Sequence, residues 1–171
     1  QELDHNVVLY PYASSTMCMK NDAQSPAMSY NVNVVLPQVQ YYAENSFGNG
    51  AFPMIAVSQN NELTFRNICG GLKLQFKGTG KIKSIVLEGL GEEPVSGNAT
   101  VVGYVDGSAP TVAMTSTASK SVTLDCGDGV QLNEDTATTF IIAVPPTEFQ
   151  SGMKITVTDA EGSSKIFTNS S

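Results

Sequence analysis

The sequence predicts an all-β protein, an antiparallel two-sheet β-sandwich, on three observations. Apolar residues recur at every second position in about ten short segments, turn residues separate those segments, and no window carries a helical stripe. Charged residues make up only 15% of the chain, and Thr, Ser, Asn, Val and Gly take their place. That exchange favours strands, because β-branched side chains suit a pleated surface.

At 171 residues the chain is long enough to bury a core of its own, and it reads as one domain over 1–171 with an irregular lead-in over about 1–29. Residues 5–10 form a short strand stopped by Pro11, and residues 11–29 show no period and read as a loop. Residues 30–36 alternate until Pro37. Gly48-Asn49-Gly50 marks a turn, and Met54-Ile55-Ala56-Val57 reads as a buried strand. Leu63 and Phe65 alternate with Thr64 and Arg66, and Leu72, Leu74 and Phe76 alternate with Lys73, Gln75 and Lys77. The second set puts three large apolar groups on one face and leaves the other wet. Gly78-Thr79-Gly80 then turns the chain into residues 81–88, expected as the neighbouring strand. Ile82 is out of phase with Ile85 and Leu87 there, and a bulge near Ser84 would aim all three inward.

Residues 100–105 end at Asp106-Gly107, a dipeptide suited to a tight turn. Short strands follow at 121–124 and 130–132. Residues 138–144 are apolar on both sides (Phe140, Ile141, Ile142, Val144), which predicts a central strand, and Pro145-Pro146 ends it. Met153, Ile155 and Val157 alternate with Lys154, Thr156 and Thr158 before a turn over 159–162 and a last strand over 165–168.

A formal charge of −7 without a sizeable basic cluster disfavours nucleic acid. No run of eighteen apolar residues is present to span a membrane as a helix. The chain opens at Gln1 with no initiator Met or apolar leader, so it is expected to be a mature or trimmed product whose signal or lipid anchor lies outside it. Cys18, Cys69 and Cys126 lie at no metal-ligand spacing. Cys69 and Cys126 border apolar strands and are expected as small buried hydrophobes, while one bridge among the three remains geometrically open.

The residues point away from catalysis, and no cofactor or metal is expected. His5 is the only histidine and is expected to be a solvated terminal group, so imidazole-based triads have no base. Asp125-Cys126-Gly127-Asp128-Gly129 lacks calcium-loop spacing and reads as a hairpin turn. Glu92-Glu93 reads as a solvated charge pair. Gly48-Asn49-Gly50 and Gly78-Thr79-Gly80 precede no helix, so neither has the dipole that holds phosphate. With no Trp, an aromatic sugar platform would fall to Tyr41 and Tyr42, the candidate ligand or partner contacts. Being adjacent in a strand, they point to opposite faces, one packed in the core and one exposed.

Several strings stand in a telling order: Asn33-Val34-Val35-Leu36-Pro37, then Ser46-Phe47-Gly48-Asn49-Gly50-Ala51-Phe52-Pro53-Met54-Ile55-Ala56-Val57-Ser58. Leu63-Thr64-Phe65-Arg66-Asn67-Ile68-Cys69-Gly70-Gly71-Leu72 follows, with Lys81-Ile82-Lys83-Ser84-Ile85-Val86-Leu87 and Val95-Ser96-Gly97-Asn98-Ala99-Thr100-Val101 after it. Val144-Pro145-Pro146 and Gly152-Met153-Lys154-Ile155-Thr156-Val157-Thr158-Asp159 complete the series. Over about residues 30–160 the chain resembles the fimbrillin family, type V pilus subunits and related surface lipoproteins of Gram-negative anaerobes. The resemblance implies a transthyretin-like Greek-key sandwich, export to the outer membrane as a lipoprotein, and a role in fimbria assembly or adhesion. Assembled members lose an early strand to proteolysis, and a strand from the next subunit fills the groove. Two features depart from the family: the chain has room for one such domain where full pilins have two, and its sole arginine, Arg66, sits in a predicted strand rather than at a processing site.

The expected function is therefore non-catalytic: a cell-surface adhesion or pilus module, at the outer membrane or outside the cell, whose partners are pilin-like subunits or surface ligands. The alternative is a glycan-binding module of a surface nutrient-capture system.

Overall fold

The structure, a computed structural model, describes residues 5–11, 18–20 and 28–169. Those residues are all-β, with fifteen strands and no helix. In chain order the strands are β1 (Asn6–Tyr10), β2 (Cys18–Lys20), β3 (Ser29–Leu36), β4 (Val39–Ala43), β5 (Ser46–Phe47), β6 (Met54–Ser58), β7 (Arg66–Asn67) and β8 (Gly70–Phe76). They continue with β9 (Lys81–Gly89), β10 (Gly97–Tyr104), β11 (Thr111–Met114), β12 (Ser121–Gln131), β13 (Thr138–Val144), β14 (Met153–Asp159) and β15 (Ser164–Asn169). The loop expected over 11–29 contains β2 and the first residue of β3, while 12–17 and 21–27 lie outside the described residues.

Hydrogen bonding sorts the strands into four sheets, in the orders β15-β14-β9-β12-β4-β5, β11-β10-β3-β2, β1-β6-β7 and β13-β8. Pairing is antiparallel with one exception: β4 runs parallel to β12, with Val39, Gln40 and Tyr41 opposite Thr123, Leu124 and Asp125.

Two apolar clusters hold the sheets together. Val32, Val34 and Leu36 of β3 and Val101 of β10 meet Ile55 of β6 in the first. Ile85 and Leu87 of β9 and Val122 and Leu124 of β12 meet Phe140 and Ile142 of β13 in the second. Each large aliphatic side chain withdrawn in this way stabilises the fold by about 1.5–3 kcal/mol.

The alternation of Leu72, Leu74 and Phe76 does form a strand, β8, but its partner differs from the expectation. β9 belongs to the six-stranded sheet, and β8 pairs with β13 instead. The Gly78-Thr79-Gly80 turn thus carries the chain from the two-stranded sheet to the six-stranded one. The physical reason is burial: Leu72, Leu74 and Phe76 pack across the second core against the cluster that holds Ile82, Ile85 and Leu87. A hairpin would have put both apolar faces on the same side of one sheet.

The bulge near Ser84 is present. Against β14, Thr158 lies opposite Ser84 and Asp159 opposite Ile82, so Lys83 is the extra residue. Ile82, Ile85 and Leu87 are all buried as a result.

Residues 125–129 are not a hairpin turn. They form a bulge within β12, which pairs with β9 up to Asp125 and resumes at Val130. Gly127 and Gly129 take positive φ there, and the Gly127 amide donates to Asp125 Oδ1 at 2.8 Å. The strand expected around Leu63 and Phe65 shrinks to β7, leaving those two side chains exposed.

Residues 138–144 are a strand, but not one central to a hydrogen-bonded sheet. Among the described residues β13 pairs with β8 alone, and it lies between the two cores: Phe140, Ile142 and Val144 enter the second, while Ala143 enters the first. That explains a strand apolar on both sides.

Two polar expectations also change. His5 is part-buried, and its Nδ1 shares a 2.6 Å hydrogen bond with the Tyr30 hydroxyl. Glu93 is no free charge, since it accepts from the amides of Gly91 and Gln150 and joins the turn after β9 to the loop before β14. Glu92 pairs with Lys120 at 2.6 Å.

Candidate functional site: an open strand edge beside a half-covered sheet

Strand spacing dictates where this molecule is open. At about 4.8 Å per step, six strands span ~24 Å and two span ~5 Å. The β13-β8 pair therefore cannot cover the inner face of the six-stranded sheet. β13 lies on the β4 side, where the buried Gln40 side chain bonds Ala143 and the Tyr42 ring stands 5.2 Å from Phe140.

Among the described residues the uncovered part lies beyond β8, over β14 and β15. Among the described residues β8 pairs with no strand but β13, so its second edge offers backbone N–H and C=O groups. Leu72, Leu74 and Phe76 on β8 and Met153, Ile155 and Val157 on β14 are only half-buried, although all six border the second core. Phe167 of β15 is exposed, with its ring 6.0 Å from Phe76 and the Lys165 ammonium 5.3 Å from it. Near Pro145 and Phe149 the same side of β8 opens into a groove of about 370 Å³, lined by Leu72, Leu87 and Met153. An unpaired edge above an apolar floor is the geometry that accepts an added strand.

Tyr41 and Tyr42 stand on opposite faces of β4. Tyr41 is 61% exposed, and Tyr42 packs against Phe140, so the two form no shared platform. Burial, then the charges of Glu44 and Cys126, push the Tyr42 phenol up. Sequence reasoning missed the β8 edge because nothing in Gly78-Thr79-Gly80 distinguishes a crossing between sheets from a hairpin. Among the described residues no group of three His, Cys, Asp or Glu side chains is placed to hold a metal, and no helix is long and apolar enough to cross a membrane.

All three thiols are free, Cys18 half-buried and the other two buried. Cys69 and Cys126 are each 7% exposed. Burial pushes the Cys69 thiol up to about 12, and burial with the adjacent Asp125 charge pushes Cys126 up to about 12. Both stay protonated and unreactive near neutrality. Because these values lie above the ordinary 9.0, the folded state holds its protons longer than the unfolded chain. The stability they contribute is complete below about pH 9 and is lost as pH rises towards 12. The urea midpoint should fall across that window. At pH 8 a thiol reagent should label Cys69 and Cys126 only in denaturant; fast labelling of the folded protein would contradict their burial.

Compared with family models, curated proteins and solved structures, the chain matches none.

Proposed function

We propose that this chain is a non-catalytic structural module of a cell surface, a fimbria subunit or adhesion domain that joins its neighbours by β-strand addition along β8. In this reading the sheets form a two-layer, transthyretin-like Greek-key sandwich. The setting is the outer membrane or the extracellular space, and the partners are pilin-like subunits. One observation carries the proposal: the free β8 edge stands above half-buried Met153, Ile155 and Val157. A strand laid there would pair its backbone with β8 and set alternate apolar side chains on that floor. The fimbrillin resemblance supplies the biological setting.

Size-exclusion chromatography with light scattering and chemical cross-linking, over a range of protein concentrations, tests it. A ladder of oligomers is expected, and Phe167→Lys should weaken it by roughly tenfold or more by putting a charge at the rim of the apolar floor. That side chain is already 40% exposed, so the folded monomer should survive the change. A monomer at every concentration, also in the presence of synthetic peptides with alternating apolar residues, would remove strand addition from the account.

A further inference from the structure

A second concavity lies away from β8, where the ends of two other sheets meet. It holds about 590 Å³, within the ~300–1,000 Å³ of small-ligand sites. One wall is the end of β6 with the segment leading to β7, and the other is the end of β10 with the turn before β11.

Its floor depends on a glycine. A Cβ at Gly103 would stand 2.7 Å from Val57 Cγ2 and 2.8 Å from Ile55 Cδ1, so only Gly lets these side chains close the base of the cleft. Both walls are fixed by their own hydrogen bonds. Asn60 Oδ1 accepts from the Ser58 hydroxyl at 3.0 Å and from the Glu62 amide at 2.8 Å. Asp106 Oδ1 accepts from the Ser108 amide at 2.9 Å, and the hydrogen bonds from Ser108 hold its carboxyl below the usual range. A wall ordered beforehand has little further ordering to undergo on binding.

Arg66 lies across this cleft. It starts on β7, and its Nη2 reaches within 3.9 Å of where a Cβ on Gly107 would stand, on the opposite wall. Among the described residues this guanidinium, the only one in the chain, has neither an ion pair nor a hydrogen bond. Its five N–H donors are therefore available in a fixed fork.

We infer that the Arg66 cleft binds a neutral saccharide. The lining combines the donors of Arg66 with the acceptors of Glu62 and Asp106. A sugar hydroxyl both donates and accepts, so adjacent hydroxyls satisfy both kinds of group at once. An anionic ligand would meet Arg66 but would be opposed by two carboxylates and by the overall charge of −7. A cationic ligand would be opposed by Arg66. Pro110 adds apolar area to the lining for the less polar face of a sugar ring. None of the groove residues beside β8 lines this cleft, so ligand capture and strand addition use separate surfaces.

An array of neutral hexose and N-acetylhexosamine oligosaccharides, with sialylated and uronic-acid glycans beside them, tests the inference on the full chain. Binding to neutral members is expected. Arg66→Ala should weaken it by roughly tenfold or more, the effect of losing charge-assisted hydrogen bonds, and Lys83→Ala, with the same change in charge, should not. Unchanged thermal melts would show both variants folded. Amide shifts on titrating the best neutral hit should cluster at Gly103, Tyr104 and Gly107. No neutral glycan held, binding confined to acidic glycans, or an Arg66→Ala variant that binds as tightly as the parent would each overturn the inference.

Discussion

Replacing Phe140 with Ala should lower the free energy of unfolding by about 3–5 kcal/mol. The ring is fully buried at the centre of β13, 5.2 Å from the Tyr42 ring on one side and 5.8 Å from Phe76 on the other. It therefore touches a strand of the six-stranded sheet and the strand that carries the open edge. Among the described residues strand pairing ties β13 to β8 only, so side-chain packing, together with the two Gln40 hydrogen bonds to Ala143, holds the pair onto the larger sheet. Removing the ring leaves a cavity that β-sheet backbone on both sides cannot collapse to fill. The melting temperature should drop by ~6–20 °C in a chain of this size. Phe140→Leu keeps most of the volume and should lose far less. A loss below ~1 kcal/mol for the alanine variant would mean that the two-stranded layer is not seated as described.

Sequence pattern identified strands better than it identified their partners. The alternation of Leu72, Leu74 and Phe76, and that of Met153, Ile155 and Val157, is set by local burial, and each forms a strand with its apolar face towards the second core. The out-of-phase Ile82 gave the bulge beside Ser84 for the same reason, since burial of all three apolar side chains requires one extra residue. Pairing is a long-range matter. Nothing local says that β8 and β9 belong to different sheets, or that β4 joins β12 in parallel from more than eighty residues away in sequence. The candidate site was less legible still. The open edge exists only because of the crossing, and the Arg66 cleft exists only because the ends of β6 and β10 meet at Gly103. Residues 39–41 reverse the usual order of burial, since Val39 and Tyr41 are 46% and 61% exposed while Gln40 between them is 4% exposed.

Gln40 is inverted because it does a strand's work with a side chain. Its Nε2 donates to the Ala143 carbonyl at 2.8 Å, and the Ala143 amide donates to its Oε1 at 2.8 Å. A primary amide sets an N–H donor beside a C=O acceptor much as a strand's backbone does, so it satisfies β13 where no strand lies alongside. Gln40→Leu would keep the volume and leave a buried N–H and a buried C=O without partners. At about 1–3 kcal/mol for each such group, and with some return from the apolar replacement, the expected loss is ~2–4 kcal/mol. Gln40→Glu separates hydrogen bonding from packing. Ionised, it accepts from the Ala143 amide but has nothing to donate to the carbonyl; protonated, it can do both. Burial would raise its folded pKa above the unfolded value of about 4.3, so its stability should be fullest below that value and fall as pH rises through the folded pKa. Urea denaturation at pH 4 and pH 7 should show the glutamate variant approaching the parent in acid while the leucine variant stays a similar distance below it at both. A leucine variant within ~0.5 kcal/mol of the parent would show that β13 needs no partner on that side, and that the openness beside β8 is not peculiar to that edge.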